Sequence, residues 1–131
     1  MYKEARLNSA RTEGRMKRWQ EQRWILDAIV GTVGVEWDQA RLAYTMAPAG
    51  VDAVPDFMAV RFRVKKYNDI DREFAAAARR REDKARRYED EGRLVSAAES
   101  WFIAALLWSA ARWPIFENSR DVIFYLSLIH I

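Results

Sequence analysis

The chain has 131 residues, half of them apolar and 31% charged, with no cysteine and a formal net charge of +3. That length holds one domain with a modest core, and the balance is that of soluble globular chains, not disordered ones. The missing cysteine excludes disulfides and thiolate metal sites, and basic residues that alternate with acidic ones argue against nucleic acid as a partner.

Residues 1–14 are polar and read as an N-terminal arm. The opening "MYKEARLNSARTEGRMKRW" is positive but has no apolar segment behind it, so no secretory signal is read there and a cytoplasmic protein is expected. From Arg15 to Val30 the apolar residues Met16, Trp19, Ile25, Leu26, Ile29 and Val30 predict a helix with one core-facing stripe. "GTVG" (31–34) should stop it, since glycine accepts a left-handed backbone. An irregular connection follows, with a short helix around Asp38 to Tyr44.

"DFMAVRFRVKKY" (56–67) predicts a helix capped by Asp56, with Phe57, Val60, Val64 and Tyr67 on one face. A long charged helix then runs from Asn68 or Asp69 to Glu91 along a narrow seam of Ile70, Phe74, Ala77 or Ala78, Ala85 and Tyr88. Gly92 closes it. Ser96 and Glu99 read as a capping box for a last helix, which Pro114 should end near Arg112. The expected fold is all-α: four main helices, the last two an antiparallel helical hairpin turned at Gly92.

In that last helix Trp101, Phe102, Ile103, Leu106, Leu107 and Trp108 surround most of the circumference. A helix apolar nearly all round needs partners on several sides, more than the other helices here are expected to supply. Its strongly apolar run, Trp101 to Ala111, is far shorter than the roughly 20 residues of a bilayer crossing, so no membrane partner is expected.

Nucleophilic hydrolysis needs a hydroxyl or thiol beside a base. The lone histidine, His130, stands one residue from the end in "SLIHI", and none of the glycines frames a serine as a G-x-S-x-G elbow. No catalytic residue, cofactor or metal ligand is expected in the chain. Asp52 with Asp56, and Asp69 with Asp71, sit at helix starts and read as caps before they read as acid–base pairs. "ARRREDKARRYEDE" (78–91) reads as a solvated helix face.

"VPDFMAVRFRVKKYNDIDREFAAAARRRE" (54–82), followed by "GRLVSAAESWFIAALLWSAARWPIFENS" (92–119), resembles the N-terminal helical segment of the α/β-hydrolases related to 2,6-dihydropseudooxynicotine hydrolase and the fermentation-respiration switch esterases. The likeness runs from about Asp38 to Ser119 and contains no catalytic motif. It implies that residues 15–119 are a helical lid-like domain, a fragment of a larger α/β-hydrolase whose core is absent. Residues 120–131 then read as a truncated tail, artefactual from about Leu126. The partners implied are that missing C-terminal hydrolase core and, in the full-length protein, a small carbonyl or ester substrate. Trp108, Trp113 and Phe116 are the residues expected to line a substrate pocket or the lid–core seam. In isolation the chain should be marginally folded, inactive and self-associating through residues 101 to 116. The competing reading is a non-enzymatic helical interaction module, against which stands the lack of an internal repeat.

Overall fold

The computed structural model describes residues 23–112. The arm at 1–14, the helical reading of 15–22 with Met16 and Trp19, Trp113, Phe116 and the tail at 120–131 lie outside the described residues. Those described form α1 (Arg23–Val33), a 3-10 turn (Val35–Asp38), α2 (Gln39–Met46), a second 3-10 stretch (Ala47–Ala53), α3 (Val54–Arg63), α4 (Asp69–Asp90) and α5 (Leu94–Arg112). No strand occurs among them, and the all-α expectation holds there.

α1 runs through Gly31 and stops at Gly34, whose φ of +88° is the left-handed cap, with its N–H donating to the Val30 carbonyl at 2.8 Å. Of its expected stripe, Leu26 and Val30 face the core, whereas Ile25 and Ile29 join Trp24 and Val33 on the exposed side. The helix is fixed inward by two contacts with the turn before α4. Asp27 Oδ1 accepts from the Tyr67 N–H at 2.9 Å, and the Arg23 guanidinium lies 5.7 Å from the Tyr67 ring centroid.

The connection expected to be irregular is nearly all helical, in short pieces. Its second 3-10 stretch is bent at Gly50, where φ 61° and ψ −151° leave the helical region. α3 begins two residues earlier than expected, with Ala53 at the N-cap and Pro55 in the first turn, where a missing N–H costs nothing. Asp56 therefore does not cap. Its carboxylate instead takes Arg81 Nε of α4 at 2.6 Å, and the same guanidinium donates to the Asp52 carbonyl. α3 also ends sooner, at Arg63, because Val64 is extended (ψ 115°) and Tyr67 sits in the following turn. Phe57, Val60, Val64 and Tyr67 are nonetheless all buried.

Asp69 opens α4, yet its side chain folds backwards. Oδ2 accepts from the backbone N–H groups of Lys65 and Lys66, both at 3.1 Å, and Oδ1 pairs with Arg72 at 2.9 Å. The carboxylate thus seals the preceding turn instead of capping its own helix.

The hairpin turn is a Schellman motif. Gly92 (φ +71°) donates to the Glu89 carbonyl at 2.9 Å and Arg93 to the Tyr88 carbonyl at 2.8 Å. The chain re-enters a helix at once: the Arg93 carbonyl accepts from the Ala97 N–H at 2.9 Å, and α5 starts at Leu94. Ser96 and Glu99 are therefore inside the helix and are not its capping box. The Schellman turn leaves no spare residue for one.

α4 and α5 make the most extensive packing in the molecule, α3 lies against α4, and α2 with the second 3-10 stretch lies against α5. Alanines 77, 78, 97, 104 and 111 supply flat, buried surface on the two hairpin helices, letting the larger Ile70, Phe74, Ile103 and Leu107 interdigitate. Phe57 meets Phe74 edge-on, with centroids 5.4 Å apart, which joins α3 to this core.

Neighbours on two sides cover part of the apolar circumference of α5. Its residues Ile103, Ala104, Leu107, Trp108, Ala110 and Ala111 are buried, while Leu94, Val95 and Phe102 remain exposed. The full helix has 19 residues and contains an 18-residue window of mean hydropathy 1.4, so by length and composition it reaches what a bilayer crossing asks, beyond the apolar run read from sequence. It packs against α4, α2 and the second 3-10 stretch.

Candidate functional site

Trp108 is 1% exposed, at the centre of the α4–α5 interface. Its Nε1 donates to Glu82 Oε1 at 2.7 Å, and the Arg79 guanidinium lies 5.3 Å from its ring centroid. Glu82 is itself buried and also takes Arg86 at 3.4 Å through Oε2. The indole is thus enclosed by the hairpin, with its one polar atom satisfied. Of the three residues expected at a pocket or seam, Trp108 stands in the interior, and Trp113 and Phe116 lie outside the described residues.

The charged segment 78–91 is more than a solvated face. Besides Glu82, Arg81 is largely buried in its pair with Asp56, and Arg86 lies 5.4 Å from the Trp101 ring, whose Nε1 donates to Glu89 at 2.8 Å. The signal was present in the spacing: Glu82 continues the Phe74–Ala78 ridge by four and precedes Ala85 by three, which places it on the seam.

Apolar surface remains uncovered elsewhere. α3 buries Phe57 and Val60 but exposes Val54, Met58 and Phe62, spaced by four and so on a single opposite stripe. Phe62 is 68% exposed and Trp24 on α1 is 71% exposed. Both helices therefore carry apolar residues on two faces, of which the core uses one.

Beside the α3 stripe lies a pocket of about 320 Å³. Val35 of the first 3-10 turn and Leu42 and Met46 of α2 form one wall; Val54, Phe57 and Met58 of α3 form another. Its two charged lining residues are bound to each other, Arg61 Nε to Glu36 Oε1 at 2.6 Å. Glu36 Oε2 is shut off from solvent and accepts no hydrogen bond among the described residues. It sits over Gly34, where a Cβ would stand 2.8 Å from it. The glycine thus serves both the helix stop and the seat of Glu36.

No family model, curated protein or solved structure matches this chain. Among the described residues no group of three or more His, Cys, Asp or Glu side chains is placed to hold a metal ion. Asp56 and Asp69, weighed above as members of carboxylate pairs, are engaged by Arg81 and by the turn N–H groups with Arg72, respectively. The pocket was not anticipated from sequence, because one of its walls, Val35, Leu42 and Met46, comes from two short elements that look like connecting chain.

Proposed function

We propose that these helices are the lid portion of a serine-type α/β-hydrolase acting on small carbonyl or ester substrates, the Ser-His-Asp chemistry belonging to a core domain outside this chain. The reading is carried by the doubly apolar character of α1 and α3. Each gives one face to the domain's own core and leaves Trp24, Ile25, Ile29 and Val33, or Val54, Met58 and Phe62, for another body. Fully burying such side chains is worth roughly 1.5–3 kcal/mol each, enough to seat a lid on a core. A lid so seated excludes water from the reacting groups and shapes the space a substrate enters.

The test is to read the genomic frame beyond codon 119 and to assay the purified chain. A frame that continues into strands with a G-x-S-x-G elbow, together with ester hydrolysis by the chain alone at background, is the expected result. A stop codon in the genome, or turnover by the chain that survives repurification, overturns it. A non-enzymatic interaction module is the second reading. It is favoured by the self-contained hairpin core around Phe74, Leu107 and Trp108, which needs no other domain to shelter its largest side chains.

A further inference from the structure

We infer that the pocket between α2, α3 and the first 3-10 turn is a binding site for a small, uncharged molecule with an apolar body. Its volume of about 320 Å³ stands at the lower end of the range of about 300 to 1,000 Å³ in which proteins hold small ligands. Met46 and Met58, unbranched and polarisable, let the walls adapt to irregular shapes.

The charge arrangement selects the class. Arg61 and Glu36 close on one another at 2.6 Å, so the lining carries one charge of each sign, already neutralised. A carboxylate drawn to the spare guanidinium N–H groups of Arg61 would meet the Glu36 carboxylate. An ammonium drawn to Glu36 would meet Arg61, and the remaining oxygen, Oε2, is out of a ligand's reach. Either ion would also shed water into an apolar lining without a free counter-charge. An uncharged molecule has neither penalty, and Arg61 still offers N–H donors to a carbonyl or hydroxyl oxygen. This inference does not rest on the lid reading, since every wall of the pocket belongs to this chain.

The test uses the whole 131-residue chain with the uncharged fluorophore N-phenyl-1-naphthylamine, displaced by 1-octanol, octanoate or octylammonium at pH 7. Octanol is expected to displace the probe at a concentration at least tenfold lower than either ion. Met58→Trp, which fills the pocket from a partly exposed position, should weaken probe binding at least tenfold, whereas Phe102→Ser on α5, outside the lining, should leave it unchanged. Should Met58→Trp lose its helical circular dichroism, Val54→Trp serves the same purpose. Glu36→Gln frees Arg61 and should improve octanoate at least fivefold relative to octanol; Arg61→Gln should do so for octylammonium. The inference is overturned if either ion matches octanol on the parent chain or if the pocket-filling variant binds the probe within twofold of it. A parent chain that binds the probe only as a dimer would assign the pocket to a second copy and overturn it equally.

Discussion

The indole N–H of Trp108 and the carboxylate of Glu82 meet at 2.7 Å between α4 and α5, with both residues buried. A carboxylate on the seam of a charged helix thus has a defined partner 26 positions along the chain. Removing one member strands the other. Glu82→Ala is expected to lower stability by about 1–3 kcal/mol. Trp108→Phe should cost a similar amount, and Glu82→Ala with Trp108→Phe should cost less than the sum of the two single changes. Urea unfolding midpoints at constant slope measure this, and strictly additive losses would contradict the coupling.

The Arg81–Asp56 pair, with side chains only 11% and 13% exposed, ties α3 to the hairpin beside the Phe57–Phe74 contact. Arg81→Met leaves the Asp56 carboxylate without its partner and the Asp52 carbonyl without its donor, a loss expected to be about 3 kcal/mol. Asp56→Asn combined with Arg81→Met should recover part of it. Thermal unfolding of the single and double variants is the measurement; a double variant less stable than Arg81→Met would count against the pair.

Among the described residues three glycines have positive φ, but their surroundings differ. A Cβ at Gly34 collides with Glu36 Oε2, whereas at Gly50 and Gly92 nothing lies within 4 Å. Gly92→Ala should cost about 1–2 kcal/mol from left-handed backbone strain, and Gly50→Ala up to about 3 kcal/mol, because φ 61° with ψ −151° is a conformation that essentially glycine alone adopts. Gly34→Ala shares the left-handed cost and should also displace the Glu36 carboxylate from Arg61. Equal melting temperatures for all three variants would refute this ranking.

Self-association of the isolated chain is predicted to run through α1 and α3. In the stretch 101–116 expected from sequence, Ile103, Ala104, Leu107 and Trp108 are already buried. Phe62→Ser and Trp24→Ser, at exposed sites, should each change stability by no more than about 0.5 kcal/mol while shifting sedimentation towards monomer. An unchanged sedimentation coefficient at all concentrations would remove the role assigned to these faces.

The long helices were legible because their periodicity is strong and their stops are glycines. Phe57, Val60, Ile70, Phe74 and the alanine seam all fell on the face that became core. The boundaries were not legible where two local signals competed. Ser96 and Glu99 form a plausible capping box, but the Schellman turn at Gly92 had already restarted the helix. Asp56 and Asp69 look like caps from composition, and only tertiary neighbours, Arg81 and the turn N–H groups, show what engages them. The pocket escaped notice for a related reason: Val35, Leu42 and Met46 come from short elements with little periodicity of their own.

Among the described residues the broadest interface joins two helices that follow one another along the chain, separated only by Glu91, Gly92 and Arg93. Closing so short a loop costs little chain entropy, whereas docking α1 requires Asp27 to find the Tyr67 N–H across 40 positions. The hairpin should consequently assemble first, with the amino-terminal helices condensing on it later. Substitutions at Ala78 or Ala104 will then act chiefly on the rate of folding, and those at Asp27 on the rate of unfolding.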